Sequence, residues 1–399
     1  MGISGPLSAA WLASGLGIPS PAPVAARADV PLSAMPVVRW AVHLPGLVPN
    51  VATPTEPGGP AVSAREIFIG YSGQSGLLVL DRGDGRIRSL LEARAPVGTT
   101  PILLGEDRVI FSDSAGYTSA YSRRDGAWRR DWEHYSGAPV VNTPTLADGV
   151  LYVTNVDELV FALDAATGEL RWRYEHKLDV ARAASLELFG APAPTLSADT
   201  AFVGFSDGFL VALDRATGSE RWKAQVGEGT YPDLIAPVVL VGDGAVLVAG
   251  YTKPLVHLGL ESRTPSWRID AGSAAAATLS GDACYHPGSD GKLRRIDTRT
   301  GALAWTWDSA TSGPLLAPQV TPLGILVAST DSTLFLVDPE AGTQLWKLDP
   351  EPLLTGFGVA PAVVGDEIYA LSNGGVLYAL AGRPGATPPP PADWVTPGR

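Results

Sequence analysis

The sequence predicts an all-β protein: an eight-bladed β-propeller of four-stranded blades with tryptophan-docking motifs, its ring closed by an N-terminal strand. Three observations carry this. A stretch that reads "LDAATGELRW" from Leu163 recurs as "LDRATGSERW" from Leu213, "IDTRTGALAW" from Ile296 and "VDPEAGTQLW" from Val337. The residues opening the equivalent turns, Asp81, Ser122, Asp164, Asp214, Glu261, Asp297, Asp338 and Ala381, number eight and lie 36 to 50 residues apart. Each ends an alternating apolar run of strand type, and units of four short strands at such a period stack radially as blades. The composition agrees, since 399 residues with 45 Gly, 35 Pro, 45% hydrophobic and 18% charged residues make a globular chain rich in turn formers.

Along the chain, residues 1–36 read as a signal-like or flexible leader. An apolar stretch over 7–18 precedes Ala26-Arg27-Ala28, an A-x-A pattern, although no Lys or Arg comes before it. Export is therefore expected. The propeller is placed at 37–382. Its first strand, 37–44 with Trp40, has no blade before it, while the eighth unit ends at "GVLYAL" without a Trp-bearing outer strand. Pairing the two deficits closes the ring and removes two sheet edges.

Within a unit, Gly168 suits the positive-φ position of a tight hairpin and the Asp164 carboxylate can accept N–H groups across the turn. Trp172 on the following outer strand would lie against the neighbouring blade. Asp214, Gly218 and Trp222 repeat the set, and Trp267, Trp305 and Trp346 take the place of Trp172. The turn before Trp267 reads as shortened, with Pro265 where the others have Gly. A residue set that recurs every blade holds blades together, so no catalytic role is assigned to these Asp residues. The end of the chain, 383–399, contains "TPPPPADW" and reads as a Pro-rich disordered tail.

Several function classes fall away. A formal net charge of -12 disfavours nucleic acid. One cysteine, Cys284, excludes an internal disulfide and a cysteine-based zinc site, and it reads as a buried small residue. His43, His134, His176, His257 and His286 fall in different units without ligand spacing, so no metal ligand and no cofactor are assigned. Arg82-Gly83-Asp84 spells an adhesion tripeptide but sits in the first blade's turn.

The candidate site comes from the irregular steps. The two longest are consecutive, and in both the excess follows the outer-strand Trp: "EHKLDVARAASLELFGAPAPT" and "AQVGEGTYPDLIAPVV". Connections of this type emerge on one face, so they make a local protrusion. Leu186, Leu188 and Phe189 on the first, with Tyr231 and Asp233 on the second, read as apolar anchors beside an acid, a protein-binding patch. The alternative is that these side chains fold back onto the propeller.

The pattern Ala-x-Asp-x-x-Thr-Gly-x-x-x-Trp at 162–172 and 212–222 resembles the repeat of the pyrroloquinoline quinone propeller superfamily. The resemblance covers about residues 37 to 381. That superfamily holds quinone-dependent dehydrogenases, which resemble one another in an adjacent Cys-Cys pair missing here, and the non-enzymatic BamB family. Length and blade count are similar to BamB. The resemblance implies a non-catalytic envelope scaffold that assists assembly of outer-membrane β-barrel proteins, binds a BamA-like barrel-assembly protein, and is periplasmic with an outer-membrane association. Its partner loops carry Leu-x-Leu-Arg before a Gly, and this chain offers Leu186-Glu187-Leu188-Phe189-Gly190, with Phe189 in the Arg place and one acid, Asp233, where the family often has two. Family members are anchored through an N-terminal Cys, and none precedes Cys284. The alternatives are a quinone-binding dehydrogenase or sensor and a polysaccharide-binding propeller; a cytoplasmic location also stays open.

Overall fold

The structure, a computed structural model, describes residues 36–44, 58–71, 75–177, 192–227, 229, 232–250, 254–331, 333–349 and 356–382. These form eight four-stranded antiparallel sheets. Blades 1 to 7 span 61–92, 102–135, 145–175, 195–225, 239–269, 278–308 and 319–348, each with its strands in chain order. Blade 8 takes three strands from 362–382, and its outer strand is Pro36–His43. The leader and tail expected at 1–36 and 383–399 lie outside the described residues, apart from Pro36.

Neighbouring blades are stitched at the innermost strands. Thr145 Oγ1 donates to the Pro194 carbonyl at 2.7 Å, Thr195 Oγ1 to Val238 at 2.6 Å and Thr278 Oγ1 to Pro318 at 2.5 Å; Gln319 Nε2 donates to Pro361. Each bond spans one repeat. It gives a donor to the carbonyl just before the innermost strand of the next blade.

Further out, the docking set works as its chemistry demands. Asp164 Oδ1 accepts the N–H groups of Ala166 and Thr167 at 2.9 and 3.0 Å, and Gly168 turns the chain at φ 75°. Asp214 repeats this with Ala216 and Thr217, and Arg221 beside it, followed by Thr217, draws its carboxyl down to about 2. Each glycine carries the indole of the preceding blade. A Cβ on Gly168 would meet Trp132 at 2.6 Å, one on Gly218 would meet Trp172 at 2.5 Å, on Gly301 Trp267 at 2.7 Å and on Gly342 Trp305 at 2.6 Å. The indole N–H then donates to the same turn: Trp172 to Arg215 at 2.9 Å, Trp267 to Thr298 at 3.0 Å and Trp305 to Pro339 at 3.1 Å. Trp346 packs into one core with Ile368 and Leu380 of blade 8.

The ring closes as the unpaired deficits required. Pro36–His43 pairs with Val376–Gly382, and Trp40 stands opposite Ala379 as Trp172 stands opposite Ala162. Trp40 packs on Gly85 of blade 1, where a Cβ would meet it at 2.8 Å. A charge cluster doubles this seam. Glu367 of blade 8, 5% exposed, lies between Arg39 of the closing strand and Arg82 of blade 1, and it also accepts from Tyr369 at 2.7 Å.

Two details differ from the sequence reading. The turn before Trp267 is not shortened. Gly259 N–H bonds to the Thr264 carbonyl and Arg263 N–H to the Gly259 carbonyl, as Asp164 and Gly168 do in their turn. Gly259 therefore opens it rather than Glu261, and Arg263, at φ 57°, takes the glycine place that was given to Pro265. Its guanidinium lies 5.6 Å from the Trp222 ring, so that seam exchanges an indole-on-glycine contact for a cation–π one. Trp132, not singled out in the sequence, is the docking residue of blade 2.

Two predictions follow from the seams. Trp172→Ala is expected to destabilise by about 3 to 5 kcal/mol and Gly218→Ala by about 2 to 4 kcal/mol, because the added methyl must displace the indole. Gly126→Ala, at φ 78° but with nothing within 4 Å, is expected to cost only about 1 to 2 kcal/mol. Urea midpoints that rank Gly126→Ala with Gly218→Ala would refute the docking account. At the closure, Glu367→Ala leaves two arginines facing each other and is expected to cost about 3 to 5 kcal/mol; a loss at the level of an exposed ion pair would show that the cluster does not hold the ring.

Candidate functional site

In antiparallel blades, the turn between strands two and three and the connector to the next blade share one face. The Asp–Gly docking turns occupy the other. The two long connectors, 176–194 and 226–238, therefore root on the same face over blades 3 to 5. Leu186, Leu188, Phe189 and Tyr231 lie outside the described residues. Asp233 is described, and it is not a surface acid: it is 4% exposed. The reason is register. Leu234 N–H donates to the Phe205 carbonyl as Val140 does to Asp113 and Leu315 to Gly288, so Asp233 stands where Pro139 and Pro314 stand in the other connectors, pressed onto the blade. The extra residues of this connector fall between Gly227 and Pro232, which come together so closely that a Cβ on Gly227 would strike the Pro232 carbonyl.

The same face has an anchoring rule. In blades 2, 3, 7 and 8 the second residue of the strand-two-to-three turn donates its N–H to the connector entering its own blade: Ser114 to Pro96 and Val156 to Pro139 at 2.9 Å, Thr330 to Pro314 at 3.1 Å and Asn373 to Gly356 at 2.8 Å. Blade 4 adds a link of another kind. Ser206 N–H is accepted at 2.7 Å by the carboxylate of Glu158, a side chain of blade 3. Glu158 holds φ 59° where blades 2, 4, 6 and 8 have Gly116, Gly208, Gly291 and Gly375, and it is 2% exposed. Burial, and then the charge of Asp207, pushes its carboxyl above the usual glutamate range against the pull of Ser206 and His176.

Beside it, His176 ends the outer strand of blade 3 and begins the first long connector. Its Nε2 pairs with Asp207 Oδ2 at 2.8 Å, and its ring stacks on Phe205 with centroids 4.1 Å apart. Both side chains are buried. The sequence reading saw His176 as one of five scattered histidines and did not single out Glu158 or Asp207. The signal for Glu158 was present: "NVDELV" aligns with "FSDGFL" and sets Glu against Gly. Among the described residues, no three His, Cys, Asp or Glu side chains converge as a metal site. Cys284 is buried, which pushes its thiol up to about 12.

Towards blade 2 the face carries exposed aromatic surface. Tyr135, 55% exposed, stacks on Tyr117 with centroids 4.7 Å apart, and Arg94 lies over Tyr117 while paired with Glu133. Rigid aromatic rings rimmed by charged groups are the surface type that protein interfaces favour. No helix among the described residues is long and apolar enough to cross a membrane.

The comparisons agree with this architecture. The outer membrane protein assembly factor BamB of Shewanella oneidensis is 22% identical to this chain over 295 residues, 72% of this chain and 71% of that protein. The same factor of Yersinia pestis is 23% identical over 255 residues, 62% of this chain and 63% of that one. The crystal structure of BamB from Moraxella catarrhalis matches with a TM-score of 0.69 at 18% identity, over 86% of this chain and 99% of that chain. The computationally designed Ika8 protein matches with a TM-score of 0.67 at 13% identity, so likeness of shape shows the fold alone. The family model described as outer membrane protein assembly factor BamB matches residues 128–306, 232–330 and 261–387, and the chain belongs to that family.

Proposed function

We propose that this protein is a non-catalytic scaffold of the cell envelope that assists assembly of outer-membrane β-barrel proteins. Its binding face is the one that carries the two long connectors, and its partner is the periplasmic portion of a BamA-like barrel-assembly protein. The observation that carries this reading is the rooting of two enlarged connectors side by side on one face over blades 3 to 5, next to the Tyr117–Tyr135 stack. A rigid ring with extra chain on one face suits it to present contacts without moving. Family membership supports the assembly role, and the site assignment rests on Leu186, Leu188, Phe189 and Tyr231. Asp233 keeps a place in it as the buried support of the second connector.

The protein is expected in the periplasm, and no reaction belongs to the proposal. Added pyrroloquinoline quinone and calcium are expected to give no alcohol-dependent dye reduction above a heat-killed control. The binding test uses purified periplasmic domains of a BamA-like protein. Leu188→Ala with Phe189→Ala is expected to weaken capture by about 1 kcal/mol or more per anchor, roughly fivefold each, with an unchanged melting curve. Unchanged capture would retire the site. Joint loss of melting stability and capture would show that these side chains fold back onto the propeller.

A further inference from the structure

We propose that Glu158, His176 and Asp207 form a proton-dependent clasp that fastens blade 3 to blade 4 on the connector face and loosens as pH rises. The inference is independent of the partner assigned above. It starts from three departures from the repeat that meet at one seam. Blade 3 puts Glu158 at a left-handed position, φ 59°, where four other blades have glycine. It puts His176 where blade 2 and blade 6 have Ser136 and Ser309, at the end of the outer strand. Blade 4 turns Asp207 inward onto that histidine.

The geometry makes both links cross-blade. Glu158 Oε1 takes the Ser206 N–H, which in other blades goes to a connector carbonyl, and His176 Nε2 takes Asp207. Glu158 Oε2 and His176 Nδ1 are buried with no hydrogen-bond partner among the described residues. A glutamate at such a backbone position is strained relative to glycine, and the bond it makes to Ser206 offsets that strain locally.

Charge decides the direction. Two carboxylates and one imidazole share a site shielded from water by Phe205. Loss of the Glu158 proton adds negative charge beside Asp207 in a desolvated seam. The other charged groups near it do not cancel that charge. Tyr174 is bonded to Glu220, and Lys223 lies over the Phe209 ring at 5.2 Å. Glu175, Lys177 and Asp157, its chain neighbours, are exposed. The raised carboxyl of Glu158 gives the sign: its contribution to stability is present below the pKa of the unfolded chain and is lost as pH rises through the raised value.

The test is amide hydrogen exchange on the full chain between about pH 5 and about pH 8, corrected for intrinsic rates, comparing wild type with Glu158→Gln. The Gln side chain keeps an acceptor for Ser206 and removes the titration. In the wild type, protection of the peptides around 155–160 and 205–209 is expected to fall with pH, by up to tenfold for each unit by which the carboxyl is raised. In Glu158→Gln the same peptides are expected to lose that slope, while peptides of blades 6 and 7 are unchanged in both. If the Gln variant does not fold, Glu158→Gly, the residue type of the other blades, gives the same comparison. A flat wild-type profile, or a slope that survives in the variant, would overturn the clasp.

Discussion

The spacing of the blades depends on one contact that recurs at five seams among the described residues, an indole laid on a glycine of the next blade. A four-stranded sheet cannot bury both its faces by itself, so each blade needs a neighbour at a defined distance and tilt. The glycine supplies two things at once. It turns the chain at positive φ, and it leaves the space that a Cβ would fill, since a Cβ on Gly218 would lie 2.5 Å from Trp172. Burying an indole removes about 150 to 250 Å² from water, which is gross stabilisation of roughly 4 to 6 kcal/mol as an upper bound. The bond from its N–H to a turn carbonyl then sets the rotation about the contact.

This arrangement explains which parts of the fold could be read from sequence. The turn and the Trp lie eight residues apart on one hairpin, so a local pattern announces a contact made one blade away. Where the hairpin changes length the pattern fails. In blade 2, Trp132 lies ten residues after Ser122, because the hairpin runs on through Arg124 and Ala127 before turning back, and it escaped notice. Arg263 failed to stand out for a different reason, since nothing in its side chain advertises a left-handed backbone. The charged pairs were invisible altogether. Arg82 with Glu367, or His176 with Asp207, are partners chosen across blades, and the pattern inside one blade does not announce a partner in another.

Seams that lack the indole show that the requirement is for filled, oriented contact rather than for tryptophan. Blade 1 has Ser89 where others have Trp, and Trp128 of blade 2 reaches back edge-on to Phe68 with centroids 5.6 Å apart, its own ring covered by Arg123. Arg123 in turn pairs with Glu66 of blade 1. The closure joins two chain ends that have no covalent link, and there both devices act together, Trp40 on Gly85 and Glu367 between two arginines. The ring therefore holds its seams by several different solutions of one packing problem.

The same devices bear on the division of the two faces. The docking turns are committed on one side, since their carbonyls, carboxylates and glycines all serve the seams. On the opposite side the connectors meet the blades through backbone bonds such as Val156 to Pro139 and Leu234 to Phe205, and none of these belongs to a docking turn. Beside the start of the first long connector, Glu158 of blade 3 serves Ser206 of blade 4. Chain can therefore be added there without disturbing a seam.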